Sequence, residues 1–306
     1  MGSEMCIRDS FWILLILLSS SLVVSLMLDT VLQNTLTWVL HYLAAFWFGI
    51  WFLLIFFLLL TEPLRFFGSP PGFITGALVL TVVGGLTLYS FWNARQLEIR
   101  VLEFSAPVEA DLVQLSDLHF GSPNGMDFNR VIDAVRKIEP DIVLITGDLI
   151  ESSTRLGDDR LKQLGRLGCP VFLSLGNHER YAGAGKLEQL LSGTGITVLR
   201  NEAVLLNGIQ IIALDDSENH GRVEQGLRNI EVNGRFSILM YHRPDGFKAA
   251  ARAGIDLMLS GHTHSGQIWP FNWLVRLRFP RLTGLFESGR HRLYVTTGTG
   301  NWGPPM

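Results

Sequence analysis

The sequence predicts an α/β domain preceded by transmembrane helices, and three observations carry that prediction. The chain is 48% hydrophobic, and almost all of the surplus lies before residue 93. Beyond that point come five short apolar runs, 112–115, 142–145, 171–175, 237–241 and 257–259, separated by Gly, Pro, Asp and Asn. Continuous apolar runs of that length read as strands buried on both faces. Between the first two, Phe128, Val131, Ile132, Val135 and Ile138 fall on one helical face, and Pro140 stops the helix. Strand, helix, strand at this spacing is the pattern of a right-handed parallel crossover.

The first ten residues, MGSEMCIRDS, share no pattern with the rest of the chain and read as a leader or a non-native segment. Three uncharged stretches come next, 11–28, 38–60 and 73–92. Each is long enough, or nearly so, to cross a hydrocarbon core. His41 interrupts the second, where it is expected to line a helix contact or sit near the interface, and Pro70-Pro71-Gly72 precedes the third. The positive-inside rule has only Arg65 between spans and Arg95 and Arg100 after them to work on, and these disagree. For the part of this integral membrane protein that follows the spans, an extracytoplasmic position is the side preferred. Leu97 to Phe104 alternates as a strand would, up to Pro107. Leu161, Leu164 and Leu167 suggest a weaker helix, and Asn207-Gly208 between 203–206 and 209–214 suits a type I′ hairpin.

A net charge of -3 removes the electrostatic case for a nucleic-acid partner. Two cysteines, Cys6 and Cys169, cannot build a disulfide framework, a zinc ribbon or a CxxC redox motif. Function is instead read at the strand ends. Each of the five runs is followed at once by side chains able to bind a metal: Asp117 and His119, Asp148, Asn177 and His178, His242, then His262 and His264. Functional crevices of α/β sheets lie at the carboxyl ends of strands, so these positions are expected to converge. Five of the eight histidines sit there, too many for chance placement. Gly147, Gly176 and Gly261 are expected to let the backbone turn close to the cluster. A mixed Asp, Asn and His set without Cys suits Mn, Fe or Zn. The seven donors beside His178 outnumber one ion's needs and suggest two divalent metals about 3.5–4 Å apart with a bridging carboxylate, an arrangement that activates water against phosphate esters.

Asp117-Leu118-His119, Gly147-Asp148, Gly176-Asn177-His178-Glu179, His242 and Gly261-His262-Thr263-His264-Ser265-Gly266-Gln267 together resemble the ordered motifs of the calcineurin-like metallophosphoesterases, and within them the membrane-attached bacterial branch. The resemblance covers 97–306 and implies a sandwich of two mixed β-sheets flanked by helices. It further implies that Asp117, His119 and His264 hold one metal, that Asn177, His242 and His262 hold the other, and that Asp148 bridges them. His178 would be a catalytic acid rather than a ligand. The implied reaction is hydrolysis of a phosphodiester, phosphomonoester or pyrophosphate, with a lipid-linked substrate favoured by the spans. A non-catalytic membrane sensor or adaptor retaining the metals is the rival reading. Relatives continue into a terminal strand where this chain reaches Gly303-Pro304-Pro305-Met306, so the domain is expected to be truncated at its C-terminus. About three spans are expected here, and some relatives carry one more at the N-terminal side.

Four other residues and one segment remain. His220 and His291 read as solvated loop residues. Asp216 reads as a turn former or a substrate-positioning group, and Arg243 as a phosphate contact or an exposed salt bridge. Residues 268–279, IWPFNWLVRLRF, interleave aromatics with Arg276 and Arg278 and suit either a bilayer interface or ordinary packing. Oligomeric state leaves no trace in the sequence.

Overall fold

A computed structural model describes residues 2–63, 68, 72–122, 126–156 and 158–306, with side chains from Ile16 onward. Arg65 and Pro70-Pro71 lie outside the described residues. The chain divides into two compact units, 1–96 with 303–306, and 97–302.

In the first unit a helix α1, Gly2–Leu32, runs continuously through the segment read as a leader. It is followed by α2, Thr35–Thr61, and α3, Gly72–Asn93. The last two are long and apolar enough to cross a membrane, whereas the described apolar part of α1, Ile16–Leu32, is shorter. The turn between α1 and α2 is fixed by polar groups. Asn34 and Thr37 form a reciprocal cap, and Thr37 donates to the buried Asp29 at 2.8 Å. His41 Nδ1 lies 3.4 Å from Ser25 Oγ, so it lines a helix contact.

The second unit is a two-sheet sandwich with helices outside. Strands β1 (Leu112–Leu115), β2 (Ile142–Thr146), β3 (Val171–Ser174) and β4 (Thr197–Val198) form a parallel sheet in that order. The second sheet comprises β5 (Glu202–Leu206), β6 (Ile209–Ala213), β7 (Phe236–Met240), β8 (Leu257–Ser260), β9 (Gly284–Ser288) and β10 (His291–Val295). Its order is β5-β6-β7-β8-β10-β9, parallel at the centre with an antiparallel strand at either edge.

Side chains along the central strands alternate between two buried environments, which explains the unbroken apolar runs. Ile142 and Leu144 join Ile211, Ile238, Met240 and Leu259 in the core between the sheets. Val143 and Ile145 face the other way, into a layer with helices α4 (Phe128–Ile138), α5 (Asn177–Ala182) and α6 (Ala184–Leu191). Leu239 and Met258 do the same on the second sheet, beneath helices α7 (Arg222–Leu227) and α8 (Phe247–Arg252). Asp127 caps α4, and Glu139 at φ 51° ends it ahead of Pro140.

Two expectations need correction. Leu97 to Phe104 forms no strand: Ile99, Val101 and Leu102 are exposed, and only Leu97 and Phe104 touch the cores. Alternation alone does not make a strand without backbone pairing, and residues 97–104 pair with none of the described strands. The weak helix is a 3₁₀ helix, Asp159–Arg166, whose Leu161 and Leu164 are its buried residues. Asn207 and Gly208 have φ of 50° and 82°, as the expected hairpin turn requires.

Candidate metal centre

The loops leaving β1, β2, β3, β7 and β8 meet at the carboxyl ends of both sheets. Asp117, His119 and His264 form one set of donor atoms within 4.8 Å of each other, and Asp148, His242 and His262 form a second, each drawn from both sheets. His119, Glu151 and His178 form a further group from the loops of the first sheet alone. His119 Nε2 and His264 Nε2 face each other at 3.1 Å, and His264 Nε2 lies 3.4 Å from Asp117 Oδ1. In the second set His242 Nε2 lies 3.0 Å from Asp148 Oδ2 and 3.2 Å from His262 Nδ1. The two sets adjoin, since His242 Nε2 is 4.0 Å from Asp117 Oδ1.

Holding these side chains inward bends the backbone. Asp117, His119, Asp148, His262 and His264 all have φ between 45° and 71°, the left-handed region that non-glycine residues rarely occupy. Such strain persists only where the surroundings over-determine it, and it gathers at functional sites. The expected glycines make the close approaches. A Cβ on Gly147 would lie 2.6 Å from His242 Nδ1, one on Gly176 would meet the Asp148 carboxylate, and one on Gly261 would meet Asp117.

The donors fit a divalent cation. Asn177 is buried, and its Oδ1 has no hydrogen-bond partner among the described residues, an orphan that a cation would satisfy. His242 Nδ1 lies 2.8 Å from the Thr146 carbonyl; donating there turns the Nε2 lone pair toward the carboxylates. Burial, reinforced by His242 and Arg243, pushes His262 down to about 2. Burial likewise outweighs Asp117 and brings His264 down to about 4, so both rings are neutral at pH 7. Burial opposes the charge of His242 too, but Asp148 overcomes this and raises it to about 10. Asp148 itself stays below the usual carboxylate range, burial notwithstanding, because His242 faces it. A metal and a proton therefore compete for this pair.

His178 stands among these residues but is engaged differently. Its backbone N–H donates to Asp148 Oδ1 at 2.9 Å, its Nδ1 lies 2.7 Å from Glu151 Oε2, and its Nε2 lies 3.9 Å from Asp148 Oδ2. Burial disfavours its charge, yet Glu151 and Asp148 outweigh this and push it up to about 9. Glu151 also holds His119, with Oε1 2.6 Å from Nδ1. Burial would raise the Glu151 carboxyl, but the two rings bring it down to about 2.

Glu151 was absent from the sequence expectations. Its signal is its place three residues beyond Asp148, one step after a buried Leu149-Ile150 pair. Glu179, expected only as part of a motif, accepts backbone N–H groups from Asp148, Ile150 and Gly176 at 2.8–3.1 Å and so pins two site loops together.

Asp216 and Arg243 are neither a simple turn former nor an exposed salt bridge. They form a buried ion pair, with Arg243 Nε donating to Asp216 Oδ1 at 2.6 Å, next to His242. His220 is an exposed loop residue outside the cluster. His291 is outside it too, but it opens β10, with Nδ1 2.7 Å from the Ile255 carbonyl, rather than lying in a loop.

Comparison with known proteins agrees with this geometry. Residues 111–266 match the calcineurin-like phosphoesterase family. A metallophosphoesterase of Helicobacter pylori is 35% identical over 65% of this chain and 56% of its own length. A zebrafish transmembrane protein with a metallophosphoesterase domain is 34% identical over 75% of this chain and 59% of its own. An Aquifex aeolicus metallophosphoesterase is 32% identical over 75% of this chain and 92% of its own. The chain thus spans little more than half the length of the first two relatives. It carries a metal-dependent phosphoesterase domain and belongs to the calcineurin-like phosphoesterase family.

Proposed function

We propose that the protein is a membrane-anchored, binuclear metal-dependent phosphoesterase that hydrolyses a phosphodiester, phosphomonoester or pyrophosphate bond, with a lipid-linked phosphate as the favoured substrate class. The observation that carries the reading is the pairing of two His/Asp sets with an adjoining Glu151–His178 dyad that neither set contains. In this reading Asp117, His119 and His264 would hold one ion and Asn177, His242 and His262 the other, with Asp148 serving both. Two bound divalent ions, Mn, Fe or Zn, would supply Lewis acidity toward the phosphoryl oxygens and an activated water.

The chain's own residues do the rest. Glu151 keeps the proton on His178 Nδ1 and stabilises the imidazolium, which leaves Nε2–H free to protonate the departing oxygen. The neutral His262 and His264 offer lone pairs without first losing a proton. Span-length α2 and α3, together with the zebrafish relative's description as a transmembrane protein, support attachment to a bilayer. In a bacterium that would be the cytoplasmic membrane, with the phosphoesterase domain on its extracytoplasmic side.

Purified protein should hydrolyse a generic aryl phosphodiester with Mn²⁺, and His178→Ala should lose turnover far more than metal content. Stoichiometric metal without hydrolysis across lipid, nucleotide and aryl phosphates would instead indicate a sensor or adaptor. A reporter fused after residue 100 reads the side of the membrane; a cytoplasmic signal rejects the extracytoplasmic preference.

A further inference from the structure

The segment after His264 has no place in the chemistry of the metal centre. Helix α9, Phe271–Arg278, contains no buried residue. Around it Trp269, Phe271, Trp273, Leu274 and Leu277 are exposed by 45–81%. A helix in a water-facing domain normally buries one apolar stripe and exposes a polar one. This one leaves large apolar side chains, Trp273, Leu274 and Leu277 above all, more than half exposed, which marks an interaction surface.

Charge identifies the partner. Residues 268–281 carry Arg276, Arg278 and Arg281 and no acidic residue. Arg278 pairs with Asp245 at 3.2 Å, so the positive charge offered to a partner is that of Arg276 and Arg281. Tryptophans beside aliphatic side chains, flanked by arginines, suit the boundary between anionic headgroups and acyl chains. We infer that α9 with Trp269 lies in the interfacial layer of an anionic bilayer, an inference that rests on the membrane attachment proposed for α2 and α3.

The segment is tied to the candidate metal loop at both ends. The Ile268 N–H donates to the Gly266 carbonyl at 2.6 Å, and a Cβ on Gly266 would lie 2.7 Å from Asn272 Cβ. At the far end the Phe279 ring stands edge-on to His262 at 5.2 Å, and Thr263 Oγ1 donates to the Leu282 carbonyl at 2.6 Å. A bilayer contact at α9 therefore sets the phosphates of neighbouring lipids beside His262 and His264.

The test uses the full chain in nanodiscs of phosphatidylcholine and phosphatidylglycerol, with Cys6 and Cys169 changed to Ser and one nitroxide at Leu277→Cys. A second sample carries the label at Leu205→Cys, a site 53% exposed on edge strand β5. Collisions with a water-soluble nickel chelate should fall several-fold at 277 relative to 205, collisions with oxygen should rise, and Arg276→Gln with Arg281→Gln should weaken both differences. Equal chelate access at the two sites overturns the inference, as does dipolar broadening between labels at 277 on co-reconstituted chains, which would make a second copy the occupant. Alkaline carbonate extraction tests the spans separately. A chain that resists extraction while its 277 label faces water keeps the spans and rejects the α9 contact; a chain that is stripped loses both.

Discussion

Glu151 holds two rings with different duties, His119 through Oε1 and His178 through Oε2. Groups that orient metal-binding or proton-donating histidines are worth about 10–100-fold in affinity or activity, so Glu151→Gln should lower turnover by about that factor and leave the fold intact, as read by kcat and near-ultraviolet circular dichroism. The same pair makes a signed prediction about pH for the chelated protein. His178, raised from 6.5 to about 9, stabilises the fold fully below pH 6.5 and loses this as pH rises through 9. Glu151, lowered from 4.5 to about 2, contributes fully above pH 4.5 and loses this as pH falls through 2. The difference in Tm between wild type and Glu151→Gln should therefore peak between pH 4.5 and 6.5 and shrink on both sides. A difference independent of pH would mean the pair is not ionised as described. The clustering of Asp117, His119, Asp148, His178, His242, His262 and His264 was legible because each follows an apolar run at once. Glu151, Asp216 and Arg243 were not, since their importance comes from burial and partners that no spacing along the chain reveals.

At the level of elements, the double-sided burial of the central strands makes their side chains costly to trim. Leu144→Ala, between the sheets, should destabilise by about 2–5 kcal/mol in denaturant unfolding, because the rigid sandwich cannot collapse onto the space left behind. Gly147→Ala is a sharper probe of the turns. Its φ of 90° and the nearness of His242 make a Cβ strained and obstructed at once, so a loss of about 1–3 kcal/mol should accompany reduced metal uptake. Helix α4 and the 207–208 hairpin were legible from period and turn chemistry. Strands β9 and β10 were not, because β9 is largely exposed and β10 begins with His291 and Arg292 and is only half-buried, which erases the apolar run that marks the others. The 97–104 stretch failed in the opposite sense, showing alternation without a strand.

For the molecule as a whole, divalent metal should act as a ligand of the folded second unit. Mn²⁺ at a hundred times its Kd should stabilise that unit by about 2.7 kcal/mol relative to chelated protein. Calorimetry should show the shift in one unfolding transition while the helices of the first unit are unaffected; a shift in neither would reject the proposed ligands. Affinity should fall with acid, because protons compete for the His242–Asp148 pair, and titration at pH 5.5 and 7.5 checks the direction. Both Asp/His sets take members from loops of both sheets: Asp117 and His119 join His264, and Asp148 joins His242 and His262. Neither of these two sets is complete before the sheets have docked against each other. Metal capture then times the closing event of folding, and a stopped-flow signal from Mn²⁺ uptake should lag the appearance of secondary structure and coincide with burial of the core between the sheets.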